Sequence, residues 1–369
     1  MRTLYIAYNY LTLVKAYYHA KWVYTDGDAT LVYRETVSSF PRCNLEELPF
    51  SVCILDTSLS KGFSGGLSEV LQTRSLISQT VELVRSFECC GQERCRLVIF
   101  KDTSAIEASV LEFLQHGKKT GCRWEVVLIE EGTALYAPLS HGGLSFKKRV
   151  KAAILRTPHS AMLDGPDGLH AMVGTIICSS PAALQKRGGV SSKTVLREPE
   201  YFKRSKCSEY IKGLFPTVKD DVLAVESAKF VFFTQPLVGM YGVTWDRFEA
   251  VFRQSIEHLL HYGNVLIKRH PRDVYDYAFI ADLEGISFFP ESLKGLPAEL
   301  LLPFWEKAIL VTFSSSVIMT GCAKEKFLLY RLLESDEMTR QFDEIFSQTT
   351  ATIIGGFEEL AERLNCEVD

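Results

Sequence analysis

Three short polar motifs carry the residue types in this sequence that could do chemistry. They are EEG at 130–132, KRHP at 268–271 and FSSS at 313–316, and each follows an apolar run of the kind that forms a buried strand. In open parallel sheets, ligands bind outside the carboxyl ends of the strands, because loops and helix N-termini converge there. We therefore expect the functional residues in these three motifs.

The KRHP motif brings cations and an imidazole to the end of one strand. Lys268 and His270 are two residues apart, so on a strand their side chains would share one face, while Arg269 would point to the other. Pro271 removes a backbone donor and would end the strand. Taken alone, a His-Pro pair is more often only a strand terminus. Together with the serine motif, it indicates a site for a phosphate group.

The FSSS motif places three hydroxyl groups, those of Ser314, Ser315 and Ser316, between an apolar strand and a predicted helix. Hydroxyls and the first N–H groups of a helix are suited to binding an anion. One of the serines is also an ordinary N-cap for that helix. Because three serines exceed what a cap needs, the motif favours phosphate binding.

The EEG motif supplies two adjacent carboxylates, Glu130 and Glu131, before Gly132. Neighbouring residues at a strand end point to opposite sides, so one carboxylate can face a cleft while the other is structural. A carboxylate that is shielded from water and near a second acid can take a proton from a sugar hydroxyl. The alternative is a solvated pair that precedes a turn glycine.

The elements that position these motifs are short apolar strands alternating with amphipathic helices. This alternation predicts an α/β fold with parallel sheets and helices on both faces. The predicted strands lie at 2–9, 51–57, 96–102, 124–132, 172–180, 229–237, 264–271, 284–290 and 307–316. A length of 369 residues suits two domains. We place the linker near 213–228, so that the domains are 1–218 and 219–369.

The composition is that of a folded globular protein, with 47% hydrophobic and 23% charged residues. The net charge of -4 gives no general reason to bind nucleic acid. The 10 cysteines form no regular framework, which indicates reduced thiols and a cytoplasmic protein. Cys89, Cys90 and Cys95 lack a second CxxC or His pair at zinc spacing, so we expect no metal there. No apolar run approaches the roughly 20 residues that span a bilayer.

A basic and aromatic stretch at 186–212 is the one local patch that could contact a polyanion. It could face a membrane surface or an anionic acceptor, which would make the protein peripheral on the inner face of the cell membrane. The alternative is a solvated loop and helix face. A homodimer is possible.

The order and spacing of the motifs between residues 130 and 320 resemble those of the bacterial sialyltransferases. The likeness is greatest to glycosyltransferase family 52, the lipooligosaccharide sialyltransferases, and to the related bacterial polysialyltransferases. The resemblance implies the GT-B arrangement, in which two Rossmann-like, doubly wound domains face each other across a cleft. It implies that 1–218 binds the acceptor and carries the general base, and that 219–369 binds the CMP nucleotide-sugar.

The resemblance also implies individual roles. Glu131 would be the general base for the acceptor hydroxyl, and His270 would contact the departing phosphate and can protonate it. A glutamate that grips the ribose hydroxyls matches Glu299, which we prefer to Glu291. The remaining positions that match the nucleotide and phosphate site are Lys268, Pro271, Ser314, Ser315 and Ser316.

The implied reaction is inverting transfer of sialic acid from CMP-sialic acid to a terminal galactose of a surface glycan, either lipooligosaccharide or capsule. A lysine, a histidine and hydroxyl dipoles can stabilise the departing CMP, so we expect no metal and no cofactor. The stretch at 164–167 is more simply a turn than a metal motif. The alternatives are a polysialyltransferase, a CMP-Kdo-dependent transferase, and a nucleotide-sugar-binding protein without catalysis.

The acceptor site is expected in the first domain. The candidates are the end of the first strand, a glycine loop that lets backbone approach a sugar closely, and the first acid of the EEG motif. These residues are Tyr8, Asn9, Gly65, Gly66 and Glu130.

Overall fold

A computed structural model of the protein describes most of the chain. The described residues are 1–33, 43–44, 48–55, 67–88, 94–116, 122–131, 133–136, 152–155, 166–270, 272–319, 323–347 and 349–368. Gly65, Gly66, Gly132 and Pro271 lie outside these ranges, as does the side chain of Ser316. The chain divides into two compact units. The first comprises Met1–Ser38 and Leu45–Tyr201, and the second comprises Ser39–Asn44 and Phe202–Asp369.

The first unit contains a seven-stranded sheet with the order β3-β2-β1-β4-β5-β6-β7, in which every pairing is parallel. The strands are β1 Arg2–Ala7, β2 Ala29–Tyr33, β3 Ser51–Ile54, β4 Arg94–Ile99, β5 Arg123–Ile129, β6 Val173–Cys178 and β7 Thr194–Arg197. The helices are α1 Tyr10–Tyr18, which continues as a π-helix over His19–Val23, α2 Leu67–Glu88, α3 Ala105–His116 and α4 Pro181–Arg187. The strand order reverses between β1 and β4, which places a topological switch point there.

The apolar runs of the first unit form strands because both faces of the sheet are buried. Leu4 and Ile6 of β1 lie in one hydrophobic core together with Val110 of α3. Tyr5 and Ala7, which point to the opposite face of β1, are equally buried. Burial on both faces is typical of parallel sheets, and it explains why these strands read as continuous apolar runs.

The second unit contains a six-stranded sheet with the order β10-β9-β8-β11-β12-β13, again with parallel pairing throughout. The strands are β8 Phe230–Phe233, β9 Val265–Lys268, β10 Ile286–Phe288, β11 Ile309–Thr312, β12 Glu325–Leu328 and β13 Thr352–Ile353. The helices are α5 Arg204–Leu214, α6 Lys219–Ala224, α7 Trp245–Leu260, α8 Asp336–Phe346 and α9 Phe357–Val368. The order reverses between β8 and β11, so this sheet has its own switch point.

Aromatic packing joins α7 to the second sheet. The rings of Phe232 and Phe252 lie 4.9 Å apart, and Phe313 lies 5.5 Å from Phe232. Phe313 comes directly before the serines of the FSSS motif. The aromatic core therefore anchors the chain at the point where that motif begins.

The boundary between the units follows Tyr201, whereas the sequence places it between residues 218 and 219. Helix α5 groups with the second unit because its first residue packs there. The Arg204 guanidinium donates to the carbonyl of Pro303 at 3.4 Å and lies 5.1 Å from the centre of the Phe304 ring.

Candidate functional site

The switch point of the first sheet holds a polar cluster, which we call the Glu131 cluster, formed by Tyr8, Asn9, Lys101 and Glu131. These residues follow β1, β4 and β5, which are adjacent in the sheet. The Tyr8 hydroxyl donates to Oε2 of Glu131, and Asn9 Nδ2 donates to Oε1 at 2.6 Å. Lys101 Nζ forms an ion pair with Oε2 at 3.0 Å. The Glu131 side chain keeps 18% exposure, so the carboxylate is shielded but accessible.

The orientation of Asn9 is fixed by its role at the start of α1. Its Oδ1 accepts from the Thr12 N–H at 2.8 Å as the N-cap of the helix. The Thr12 hydroxyl oxygen accepts in return from the N–H groups of Tyr8 and Asn9, both at 3.1 Å. With the oxygen committed to the helix, the amide nitrogen of Asn9 faces Glu131.

The donors to Glu131 among the described residues are shared unequally between its two carboxylate oxygens. Each carboxylate oxygen has two lone pairs. Oε2 accepts a hydrogen bond from Tyr8 and pairs with Lys101. Among the described residues, Oε1 accepts a hydrogen bond only from Asn9. Burial, and then the neighbouring Glu131 carboxylate, hold the pKa of Tyr8 well above its usual value, so Tyr8 remains a donor. Oε1 is therefore the atom that can accept a further hydroxyl.

Glu130 is the structural member of the acidic pair. Its carboxylate accepts from the Ser179 N–H at 2.6 Å, from the Ser179 hydroxyl at 2.9 Å and from the Tyr136 hydroxyl. Its own N–H donates to the carbonyl of Ile177 at 2.9 Å. Three of the predicted acceptor-site residues lie in the described ranges. Glu130 connects the end of β5 to the end of β6, whereas Tyr8 and Asn9 bind the Glu131 carboxylate.

The second sheet presents Lys268 at the end of β9. Burial lowers the pKa of Lys268 to about 8, and the carboxylate of Glu299 acts in the opposite direction. The ammonium lies 4.8 Å from the centre of the Phe289 ring. Glu291 instead lies 3.3 Å from Lys294 and is 84% exposed. Glu299, rather than Glu291, is therefore the carboxylate that acts on Lys268.

His270 lies beyond the end of β9 and is held by the neighbouring loop. Its N–H donates to Thr234 Oγ1 at 3.1 Å, and its Nδ1 accepts from the Arg272 N–H at 3.1 Å. Nε2 therefore carries the ring proton in the neutral form. Burial, then Arg272, and to a smaller extent Lys268, lower the pKa of His270, although Asp273 opposes them. The imidazole is neutral at pH 7 and offers an Nε2–H donor.

The strand alternation that we expected to place Lys268 and His270 on one face does not reach His270, because β9 ends at Lys268. The two groups are still close enough for the ammonium to act on the imidazole. Arg269 is structural, as its position predicts. Its guanidinium donates to the carbonyls of Asp273 at 3.0 Å and Tyr275 at 2.7 Å.

Asp273 organises the loop around His270, although no pattern in the sequence singles it out. Its side chain is fully buried and accepts from the Thr234 hydroxyl, from the Tyr277 hydroxyl at 2.6 Å and from the Tyr275 N–H at 3.0 Å. Thr234, at the end of β8, in turn accepts from the backbone of His270. The only sequence signal was an acid three residues after the histidine.

The FSSS motif follows β11, which is separated from β9 only by β8. Thr312 Oγ1 accepts from the N–H groups of Ser314 at 3.3 Å and Ser315 at 3.1 Å, and Ser315 Oγ accepts from the Val317 N–H at 3.4 Å. These N–H groups therefore do not point outward, contrary to our expectation. A bound phosphate would meet the serine hydroxyls instead, since a hydroxyl that accepts can still donate.

The segment after the serines is a 3-10 helix over Ser316–Met319, where we expected an α-helix to begin. The hydrogen bonds to Thr312 and Ser315 tighten this turn. The β-branched Val317 and Ile318 are both buried within it. Branching at Cβ lowers their preference for an α-helix, which is consistent with the short turn.

The basic stretch at 186–212 is partly committed to internal contacts. Arg187 donates to the carbonyl of Asp167 at 2.8 Å, and Lys193 donates to the carbonyls of His170 at 2.7 Å and Val173 at 2.8 Å. These cations stabilise the loops around β6. Arg187 and Lys193 therefore serve internal contacts, which neither a polyanion-binding patch nor a solvated face predicts.

Among the residues that the structure describes, no cluster of three or more His, Cys, Asp or Glu residues is arranged to hold a metal ion. None of the helices there combines the length and hydrophobicity that a membrane crossing requires.

Comparison with known proteins identifies the fold. No family model matches the sequence, and no curated protein matches it. Solved structures do match. The GT-B domain of a sialyltransferase from Photobacterium damselae superposes with a TM-score of 0.53 at 11% identity, covering 93% of this chain and 97% of that chain. An α/β-galactoside α-2,3-sialyltransferase from Photobacterium phosphoreum gives 0.54 at 11% identity, covering 95% and 98%.

The same fold is shared with a different class of enzyme. A UDP-GlcNAc 2-epimerase from Methanocaldococcus jannaschii, solved in complex with UDP-GlcNAc and UDP, superposes with a TM-score of 0.55 at 12% identity, covering 100% of this chain and 93% of that chain. All three proteins are enzymes. At these identities the likeness defines the fold, and this chain has a GT-B-like fold of two Rossmann-like α/β domains.

Proposed function

We propose that the protein is an inverting, metal-independent sialyltransferase that moves sialic acid from CMP-sialic acid to a terminal galactose of a surface glycan. The observation that carries this proposal is the Glu131 cluster, in which Tyr8, Asn9 and Lys101 orient a shielded carboxylate and in which, within the described part of the chain, Oε1 accepts from Asn9 alone. Proton abstraction from an acceptor hydroxyl needs such a group. A protein that only binds nucleotide-sugars has no need for it.

The proposed reaction is a single displacement. The acceptor hydroxyl oxygen attacks the anomeric carbon of the sialic acid, and its proton passes to Oε1 of Glu131. The bond from that carbon to the phosphate oxygen breaks, so the phosphate of CMP leaves with about one more negative charge than it carries as the phosphodiester of the donor. Lys268, the Nε2–H of His270 and the hydroxyls of Ser314 and Ser315 are the groups that we assign to this charge. Attack from the opposite side inverts the anomeric configuration.

The assignment of the ribose contact to Glu299 follows from its proximity to Lys268. The Glu299 carboxylate acts on the Lys268 ammonium, so the two groups lie close together. We propose that Lys268 faces the phosphate and Glu299 the ribose hydroxyls of CMP. Since these cations and hydroxyls can neutralise the departing phosphate, the proposal needs neither a metal ion nor a cofactor.

A donor panel tests the proposed function. CMP-sialic acid, CMP-Kdo and UDP-GlcNAc are each incubated with the protein, with and without lactose as a galactose-terminated acceptor. We expect transfer from CMP-sialic acid to lactose, and product length then separates single transfer from polymer formation. Turnover of CMP-Kdo alone would favour the alternative donor. Epimerisation of UDP-GlcNAc without use of either CMP-sugar would overturn the proposal and favour the epimerase class that shares the fold.

The pH dependence of CMP binding tests the role of Lys268. Because the pKa of Lys268 is lowered to about 8 in the free protein, its amine is protonated and charged below that pH and neutral above it. A bound phosphate would favour the charged form of Lys268. Above pH 8, CMP binding is therefore accompanied by uptake of a proton. The affinity for CMP then falls by up to about tenfold for each pH unit above 8. Isothermal titration calorimetry between pH 7 and pH 9.5 measures this slope.

Lys268→Met is the matched variant for this measurement. It keeps the length of a buried side chain and removes the charge. We expect CMP affinity at pH 7 to fall about 10- to 100-fold, as for loss of a hydrogen bond to a charged group. The slope above pH 8 should also disappear. An unchanged slope in Lys268→Met would assign the titration to another group.

A further inference from the structure

Lys15 of α1 is a buried cation with an unusual partner. Its ammonium donates to the backbone carbonyl of Glu130 at 2.6 Å and to Glu198 Oε2 at 3.0 Å, and the side chain is 6% exposed. It lies 5.0 Å from the centre of the Tyr201 ring. A buried charge is costly unless it is paired and hydrogen-bonded. Glu198 supplies the pairing charge, and the carbonyl is a second, specific contact.

The carbonyl of Glu130 belongs to the peptide group that joins Glu130 to Glu131. Since a peptide group is planar, holding its oxygen fixes the plane from which the Glu131 side chain departs. Helix α1 thus holds this strand end at two points. Tyr8 and Asn9, just before the helix, bind the Glu131 carboxylate, and Lys15 binds the preceding peptide group.

The other partners of Lys15 are themselves held in place. His19, one turn further along the chain, is buried and pairs through Nε2 with the Tyr201 hydroxyl at 2.6 Å. Burial, assisted by Lys15, lowers the pKa of His19 to about 3, so this contact stays neutral over the working pH range. Glu198 and Tyr201 belong to the segment that ends the first unit. The ammonium is therefore clamped between that segment and the end of β5.

We propose that Lys15 is a positioning residue for the transfer reaction, acting through the Glu130 peptide group to set the Glu131 carboxylate. This inference rests on the proposed function, in which Glu131 is the base. In this scheme Lys15 transfers no proton and binds no substrate. Its effect is confined to the step in which the acceptor hydroxyl is deprotonated.

The primary test is Lys15→Met, which removes the ammonium and retains a long unbranched side chain. We expect kcat to fall about 10- to 100-fold, the size of effect produced by a small misplacement of a catalytic group. KM for the donor and the Kd for CMP should stay at wild-type values. Lys15→Arg, which keeps a donor for the carbonyl, should recover part of kcat. Wild-type kcat in Lys15→Met would overturn the inference.

A double-mutant cycle separates positioning from a general structural role. If Lys15 acts only through Glu131, Lys15→Met should cause no further loss of kcat in a Glu131→Gln background. Losses that multiply would show an independent effect and would overturn the inference. A loss in Glu131→Gln without a loss in Lys15→Met would reject only the role of Lys15. No loss in Glu131→Gln would reject the proposed base, and the inference with it.

Loss of the fold is the remaining explanation for a low kcat, because Lys15→Met leaves the carboxylate of Glu198 without its cation. The variant that combines Lys15→Met with Glu198→Gln removes both charges. It should regain thermal stability and keep the low kcat of Lys15→Met. Glu198→Gln alone leaves the contact with the Glu130 carbonyl in place, so it should cost less kcat. Recovery of kcat in the combined variant would overturn the inference.

Discussion

Glu131→Gln is expected to lower kcat for transfer about 10²- to 10⁴-fold, the range that general acid–base catalysis contributes. The amide keeps the shape of the carboxylate but cannot take a proton from the acceptor hydroxyl. The CMP site should be unaffected, because its proposed groups belong to the second unit. The measurement is steady-state transfer to lactose together with the Kd for CMP.

The control for Glu131→Gln is the same change at the other end of the same strand. Glu125 lies near the start of β5, whereas Glu131 follows the end of that strand, and Glu125 pairs with Arg96 at 3.1 Å. Glu125→Gln should therefore retain kcat close to wild type. Near-wild-type transfer by Glu131→Gln, with circular dichroism showing an intact fold, would exclude Glu131 as the base.

A second control addresses the neighbouring residue. Tyr8→Phe removes one donor to Oε2 and leaves Asn9 on Oε1. The open position on Oε1 remains, so we expect a smaller loss of kcat than in Glu131→Gln. An equal loss would assign proton transfer to the tyrosine hydroxyl. That outcome is not expected, since its pKa is held well above the usual value.

Continuous apolar runs made most strands predictable, and short or weakly apolar ones were missed. β4, β5, β8, β9 and β11 lie where the sequence predicts them, because strands buried on both faces cannot carry many polar residues. β2 and β12 are only 5 and 4 residues long, and their sequences include Thr, Glu and Lys. Periodicity in so short a run does not separate a strand from a loop.

The site was predictable in its motifs but not in its contacts. Strand ends with charged residues are visible in a sequence, and Glu131, Lys268 and His270 were selected on that basis. The bond between Tyr8 and Glu131 joins residues 123 positions apart, and it depends on a strand order that the sequence does not provide. Lys101 follows an apolar strand and belongs to none of the polar motifs. No pattern in the sequence therefore indicates its ion pair with Glu131.

Asp273 and Thr312 illustrate a second limit. Both residues act by bonding to the backbone or to side chains of neighbouring loops, and a sequence pattern does not show such contacts. Thr312 reads only as part of an apolar strand. Its side chain nevertheless takes the N–H groups that we expected to bind an anion. Such competition between local side chains and ligands is decided by the turn geometry, which follows from tertiary packing.

His270→Ala is expected to lower kcat about 10²- to 10³-fold, as for removal of one donor to a developing negative charge. The reason is electrostatic. Since burial lowers the pKa of His270, the imidazole is neutral at pH 7. In the proposed mechanism it stabilises the departing phosphate by donating from Nε2. The ratio kcat/KM, which reports ionisations of the free enzyme, should therefore show no titration of His270 between pH 7 and pH 8.

His270→Asn distinguishes hydrogen bonding from proton donation. An asparagine oxygen can accept from the Arg272 N–H, as Nδ1 of His270 does, so the loop should keep its conformation. Its amide can donate a hydrogen bond toward the phosphate, but it cannot release a proton. If His270 acts as a hydrogen-bond donor, His270→Asn should retain much more kcat than His270→Ala. If both variants lose the same kcat, proton donation by the imidazole is the better account, and wild-type kcat in His270→Ala would remove the histidine from the mechanism.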